Sequence, residues 1–121
     1  MNAQSAHPRV LSASTLEDTD VYNTEGKKLG EIEEIMIDPA TGSVAYAVLE
    51  FHQGFLNMKE KLFAIPWKAM YIDTEREQII LNVPEEKLKE APGFDKNDWP
   101  NMADTEFQNS MNIYYSSYYS M

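Results

Sequence analysis

The side chains that most often bind metals or catalyse reactions are few and scattered in this sequence. The chain has two histidines, His7 and His52, and no cysteine. The histidines are far apart, and neither stands in a metal-binding spacing or beside a nucleophile motif. The lack of cysteine excludes disulfides, thiolate metal sites and cysteine nucleophiles. The sequence therefore predicts no metal site and no cofactor, and it favours a loop hydrogen-bonding role for His52 at the exit of a strand.

Carboxylates are abundant, but their spacing does not identify an active site. The chain has 20 acidic residues, and Glu31, Glu33 and Glu34 are expected on the exposed face of a strand. A glycosidase-type pair is defined by its separation in space, which the sequence does not give. The five glycines are scattered at turns and form no phosphate-binding loop. These observations favour a protein that is not an enzyme.

The segment from Asp38 to Gly42, DPATG, has two interpretations. Asp38 and Thr41 could offer oxygen ligands to a cation, but calcium needs about six to eight oxygens and the segment has no second acidic residue. As a turn the segment is typical, because Pro39 fixes φ, Asp38 accepts amide hydrogen bonds and Gly42 can adopt a positive φ. We favour the turn, which would join two strands into a hairpin.

The composition predicts one folded domain with an acidic surface. A chain of 121 residues that is 43% hydrophobic can form one core but not two ordinary domains. Its net charge of −10 repels phosphate backbones and anionic lipids, so neither nucleic acid nor a membrane surface is expected as a partner. The amino end resembles no secretory signal, and no apolar run reaches the about 20 residues that span a bilayer. A cytoplasmic protein without membrane insertion is expected.

Short segments of strand-like pattern at regular spacing indicate an all-β barrel or sandwich. The predicted strands are Val10–Ser14, Asp20–Asn23, Lys28–Asp38, Ser43–Phe51, Lys61–Trp67, Met70–Asp73 and Gln78–Val83. A bulged strand is preferred to a helix for residues 28–38, because Gly30 lies inside it and a turn follows directly. A short helix of about two turns is predicted to begin at Pro84.

The strand Ser43–Phe51 has apolar residues on both faces, which raises the question of what covers the outer one. Alternation places one set in the barrel: Ala45, Ala47, Leu49 and Phe51. The outer face is expected to be covered partly by residues 84–100, including Phe94 and Trp99, and partly by a second copy of the chain, since exposed apolar patches usually mark interaction sites. The candidate interface comprises Val44, Tyr46, Val48, Phe55, Leu56 and Met58.

The chain beyond Met102 is low in complexity and rich in tyrosine and serine. As a helix it would stack its paired tyrosines at i, i+4 spacing, but serine-rich termini are most often disordered. Disorder in the isolated protein is favoured, with ordering by a partner or by self-association left open. The predicted organisation is a flexible terminus over residues 1–8, a barrel over 9–101 and this tail over 102–121.

Four segments, in order, resemble the PRC-barrel domains, a family recognised in the H subunit of the photosynthetic reaction centre and in a ribosome maturation factor. The segments are LSAS-L, TEGKKLGEIEEIMIDPATGSVAYAVLEF, KLFAIPWKAM and EKLKEAPGFDKNDWP, which together span roughly residues 10–100. The resemblance implies a small antiparallel β-barrel of about five or six strands with a short C-terminal helix. It implies an assembly module and offers no catalytic residue to transfer.

The expected function is therefore a non-enzymatic protein-interaction or assembly module whose partner is another protein or a second copy, as a homodimer. The alternative is a small-ligand or metal-binding stress-related protein. The sequence shows neither the membrane helix of the reaction-centre subunit nor the second domain of the ribosome factor. A reaction-centre-like or ribosomal role is accordingly an analogy of fold.

Overall fold

The computed structural model describes residues 11–52, 61–95 and 97–119. Its strands are β1 (Asp20–Asn23), β2 (Lys28–Asp38), β3 (Ser43–Phe51), β4 (Lys61–Pro66), β5 (Met70–Asp73), β6 (Gln78–Leu81) and β7 (Phe94–Asp95). Its helices are α1 (Ala13–Leu16), α2 (Glu85–Lys89) and α3 (Thr105–Tyr115), with 3₁₀ turns at Trp67–Ala69 and Ser116–Tyr118. None of the helices in these ranges is long and apolar enough to cross a membrane.

The strands form one sheet in the order β5-β6-β1-β2-β3-β4-β7. Neighbours are antiparallel except β1 and β6, which run parallel. The predicted mostly-β fold with a short helix after Pro84 is confirmed, but the sheet is mixed and has seven strands rather than five or six. The chain reverses direction between β5 and β6, and β6 then lies beside β1 with the same chain direction. β5 and β7 are left as the edges.

The β2–β3 hairpin is the longest pairing and contains two bulges, one on each strand. Their shifts in register cancel, so the two ends of the hairpin share one register. Glu33 is the extra residue on β2, and Ala45 is the extra residue on β3. The turn that joins β2 to β3 is the predicted one. The Ala40 amide donates to Asp38 Oδ1 at 2.9 Å, and Gly42 has a φ of 75°. The bulged-strand prediction is confirmed. Because each bulge shifts the alternation by one residue, side chains on either side of Ala45 do not share the face that simple alternation gives them.

The first predicted strand, Val10–Ser14, is wrong over its described part. Ala13–Leu16 forms one helical turn whose cap is Ser12, and the Ser12 hydroxyl accepts from the Thr15 amide at 3.2 Å. Hydroxyl side chains compete in this way with strand pairing, because they satisfy nearby backbone amides locally. The turn carries Leu16 into the core.

The interior of the barrel is built from side chains of β1 to β6. Ala47, Leu49 and Phe51 of β3 are buried there as predicted, and Phe51 meets Phe63 edge-to-face with ring centres 5.8 Å apart. Ala45, the bulged residue, stays half-exposed. β2 and β3 approach so closely near Gly30 that a Cβ there would lie 1.9 Å from the Glu50 carbonyl oxygen. That contact explains the glycine inside the strand.

The carboxyl-terminal segment covers the outer face of β3 and β4, so the expected disordered tail is wrong. The Tyr46 hydroxyl donates to the Met102 carbonyl, and the Tyr46 ring packs edge-on against Phe107 at 6.3 Å. Met111 and Tyr115 of α3 are buried. Phe107, Met111 and Tyr115 follow at i, i+4 and i+8, which gives the helix one apolar stripe to lay on the sheet.

Candidate functional site

The structure describes three of the six residues of the predicted interface. Tyr46 is 2% exposed and Val48 is fully buried, because this face of the sheet is covered by the chain itself. These two residues therefore offer no free surface to a partner, and placing them there was wrong. Val44 remains half-exposed. The other three, Phe55, Leu56 and Met58, lie outside the described residues.

Val44 borders an open groove that Tyr46 does not reach. The bulge at Ala45 turns Val44 away from the face on which Tyr46 meets the carboxyl-terminal segment. The groove has a volume of about 790 Å³. Its apolar walls come from α1 and the residues just before it, β3, the 3₁₀ turn at Trp67–Ala69 and β5: Leu11, Leu16, Val44, Trp67, Tyr71 and Ile72. It lies beside β5, which is an edge strand.

The polar end of this groove is the turn between β5 and β6. Asp73 Oδ1 accepts from the amides of Glu75 and Arg76, each at 3.1 Å, and Arg76 Nε lies 3.9 Å from Asp73 Oδ2. Glu77 adopts a φ of 55°, a left-handed conformation that closes the turn. The groove thus combines an apolar floor with a charged rim. Such a combination of apolar and charged side chains is typical of surfaces that bind other side chains.

A second cluster lies at the other end of β3, where the sheet aligns three carboxylates. Asp20, Glu31 and Glu50 stand opposite one another on β1, β2 and β3. Lys28 Nζ contacts Asp20 Oδ1 at 3.0 Å, and this hydrogen bond raises the pKa of Lys28. The row therefore carries one partly neutralised carboxylate and two glutamates side by side.

His52 completes this cluster. Its Nε2 lies 3.1 Å from Glu50 Oε1 and 3.4 Å from Glu31 Oε1. Glu50 is 7% exposed, whereas Glu31 and His52 remain accessible. The potential ligand atoms of the three residues all lie within 4.8 Å of one another, so they could hold a metal ion. From the sequence, His52 was expected to stand alone and Glu31 to be a surface charge, whereas the structure brings them together.

Comparison with solved structures found similarity to a protein of Pseudomonas aeruginosa described as the 16S ribosomal RNA processing protein RimM. The identity is 15%, the TM-score is 0.44, and the alignment covers 71% of this chain and 50% of the other. The chain thus spans about half the length of that protein. The expectation that nucleic acid is excluded as a partner was wrong, because the composition does not support so general an exclusion. That expectation used only the net charge of the whole chain, which does not determine local surfaces.

The comparison with curated proteins found no match. The sequence model of the PRC-barrel domain family matches residues 8–88, about two thirds of the chain. That range contains β1 to β6 and most of α2, and therefore both the groove and the Glu31–Glu50–His52 cluster. The resemblance inferred from four segments of sequence is confirmed, and the chain belongs to the PRC-barrel domain family.

Proposed function

We propose that this chain is a non-enzymatic protein-interaction module that binds through the groove beside β5, and that its partner is a second copy of itself. The observation that carries the proposal is the exposure of Tyr71. This side chain is 62% exposed on an edge strand and lines the same groove as half-exposed Val44 and Trp67. Aromatic side chains next to an apolar groove are typical of the centres of protein interfaces.

The edge position of β5 adds a second reason. An edge strand has unpaired backbone groups that can pair with a strand of another chain. Two copies related by a twofold axis would bring β5 against β5, so that each Tyr71 could enter the groove of the other copy. Such a contact uses the same patch on both chains and needs no other partner.

Charge sets the conditions under which the dimer forms. Each chain carries a formal charge of −10, so two copies repel one another until salt screens them. Asp73 and Glu75 at the rim of the groove would add to this repulsion. The contact is therefore expected to tighten as salt rises from low to physiological concentration.

Sedimentation velocity over a concentration series tests this proposal. The parent should shift from monomer towards dimer with rising concentration, and Tyr71→Asp should weaken the association at least about tenfold, because it removes a central aromatic residue. Ile113→Asp is the matched control, because Ile113 is 75% exposed on α3, away from the groove. It should leave the association unchanged.

Two results would contradict the proposal. A parent that remains monomeric at high concentration and moderate salt would exclude a second copy as the partner. Equal weakening by both aspartate variants would mean that association depends on general hydrophobicity rather than on this groove. Circular dichroism of each variant confirms that it is folded before its association is compared.

A further inference from the structure

The pairing of Glu31 with Glu50 brings two negative charges together in the sheet. They are direct cross-strand partners on β2 and β3. Like charges directly opposite in a sheet are destabilising. Glu50 is also largely buried, and a buried carboxylate requires compensating contacts. The imidazole of His52 contacts both glutamates.

Two of the distances among these three side chains match the spacing of ligands around a metal ion. A tetrahedral zinc site with ligand bonds of about 2.0–2.1 Å has ligand atoms about 3.3 Å apart. His52 Nε2 lies 3.1 Å and 3.4 Å from the two glutamate oxygens, so two edges of such a tetrahedron already exist. One nitrogen thus approaches two different carboxylates, although a single N–H group can point well at only one of them.

We propose that Glu31, Glu50 and His52 bind a divalent transition-metal ion of the zinc type. Imidazole nitrogen with carboxylate oxygen is a common ligand set for zinc, whereas magnesium and calcium prefer oxygen ligands alone. Glu50 provides the buried ligand, and the exposed His52 and partly exposed Glu31 leave one side open for entry and for water. The ion would join β2 to the exit of β3.

The site is independent of the proposed interaction groove. Val44 borders the groove near the start of β3. Glu50 lies near the end of the same strand, and His52 follows directly after it. Loss of zinc binding should therefore leave self-association unchanged, and the Tyr71→Asp variant should still bind zinc. The two proposals can fail separately.

Isothermal titration calorimetry of the full chain with zinc chloride tests the site. We expect one zinc ion per chain and at least about tenfold weaker binding in His52→Ala, because one of three ligands is lost. His7→Ala is the matched control, since His7 is the other histidine of the chain and is not one of the three proposed ligands. It should bind zinc as the parent does, and magnesium chloride should produce no comparable heat.

Glu31→Gln separates a metal ligand from a structural ion pair. If Glu31 is a ligand, this variant should lose the zinc-induced rise in melting temperature, yet without zinc it should melt at or above the temperature of the parent, because the repulsion with Glu50 is removed. A clear fall in melting temperature without zinc would show that the glutamate serves His52 as an ion-pair partner and would overturn the proposal. Absence of zinc binding at submillimolar concentration would overturn it as well, as would equal binding by the parent, His52→Ala and Glu31→Gln.

Discussion

Replacing Tyr115 with alanine is expected to lower the free energy of unfolding by about 3–5 kcal/mol, the usual cost of removing a buried aromatic ring. The side chain is 2% exposed and meets Tyr114 edge-to-face with ring centres 5.0 Å apart. It shares a cavity wall with Phe107, Met111 and Ala64, which places it between α3 and β4. Alanine would leave a void in that contact. Urea denaturation followed by circular dichroism measures the loss.

Tyr115→Phe is the matched control, and its expected effect has the opposite sign. The Tyr115 hydroxyl is buried and has no hydrogen-bond partner among the described residues, and burial raises the pKa of this phenol. Removing an unsatisfied buried hydroxyl should leave the stability unchanged or increase it by about 1 kcal/mol. A loss below about 1 kcal/mol in the alanine variant would mean that α3 does not cover the sheet in solution.

The contrast between the hairpin and the tail shows what the sequence could predict. β2 and β3 were predicted with their observed bounds, because the turn residues Asp38 and Gly42 and the strand pattern are local signals. The tail was judged by its low complexity and its serine content, which are typical of disordered termini. Its order depends on a stripe of three apolar residues that meets an apolar face far away in sequence. Tertiary packing of this kind decides the state of a segment with weak intrinsic preference.

The parallel pairing of β1 with β6 had no local signal at all. Val21 pairs with Ile79, and the chain between them forms four other strands. Patterns of alternation identify strands but do not say which distant strands become neighbours. The expectation of a purely antiparallel sheet followed from the family resemblance, and the long-range pair could be read only from the structure.

The acidic–histidine cluster was partly accessible from the sequence. Counting back from the hairpin turn, where Asp38 pairs with Ser43, places Glu31 opposite Glu50, because the bulges at Glu33 and Ala45 cancel. That count would have brought two glutamates together. The approach of His52 to both of them depends on side-chain positions beyond the last pair of the hairpin, and these are not specified by strand register.

Leu49→Ala is the second substitution with a large expected effect, about 2–5 kcal/mol of lost stability. Leu49 is 1% exposed and stands between Ile32 of β2 and Phe63 of β4, both of them buried. Neighbouring strands on both sides restrict how far the site can collapse, so most of the cavity should persist. Thermal and urea unfolding of the parent and the variant measure the difference.

Leu11→Ala makes the same chemical change at a more exposed site. Leu11 is 38% exposed at the groove, so its truncation should alter the stability by less than about 1 kcal/mol. The comparison separates burial from the intrinsic effect of replacing leucine by alanine. Because both faces of β3 are buried, a large loss of stability alone does not establish that Leu49 faces the barrel. A loss as small as that of Leu11→Ala would show that Leu49 does not face the barrel.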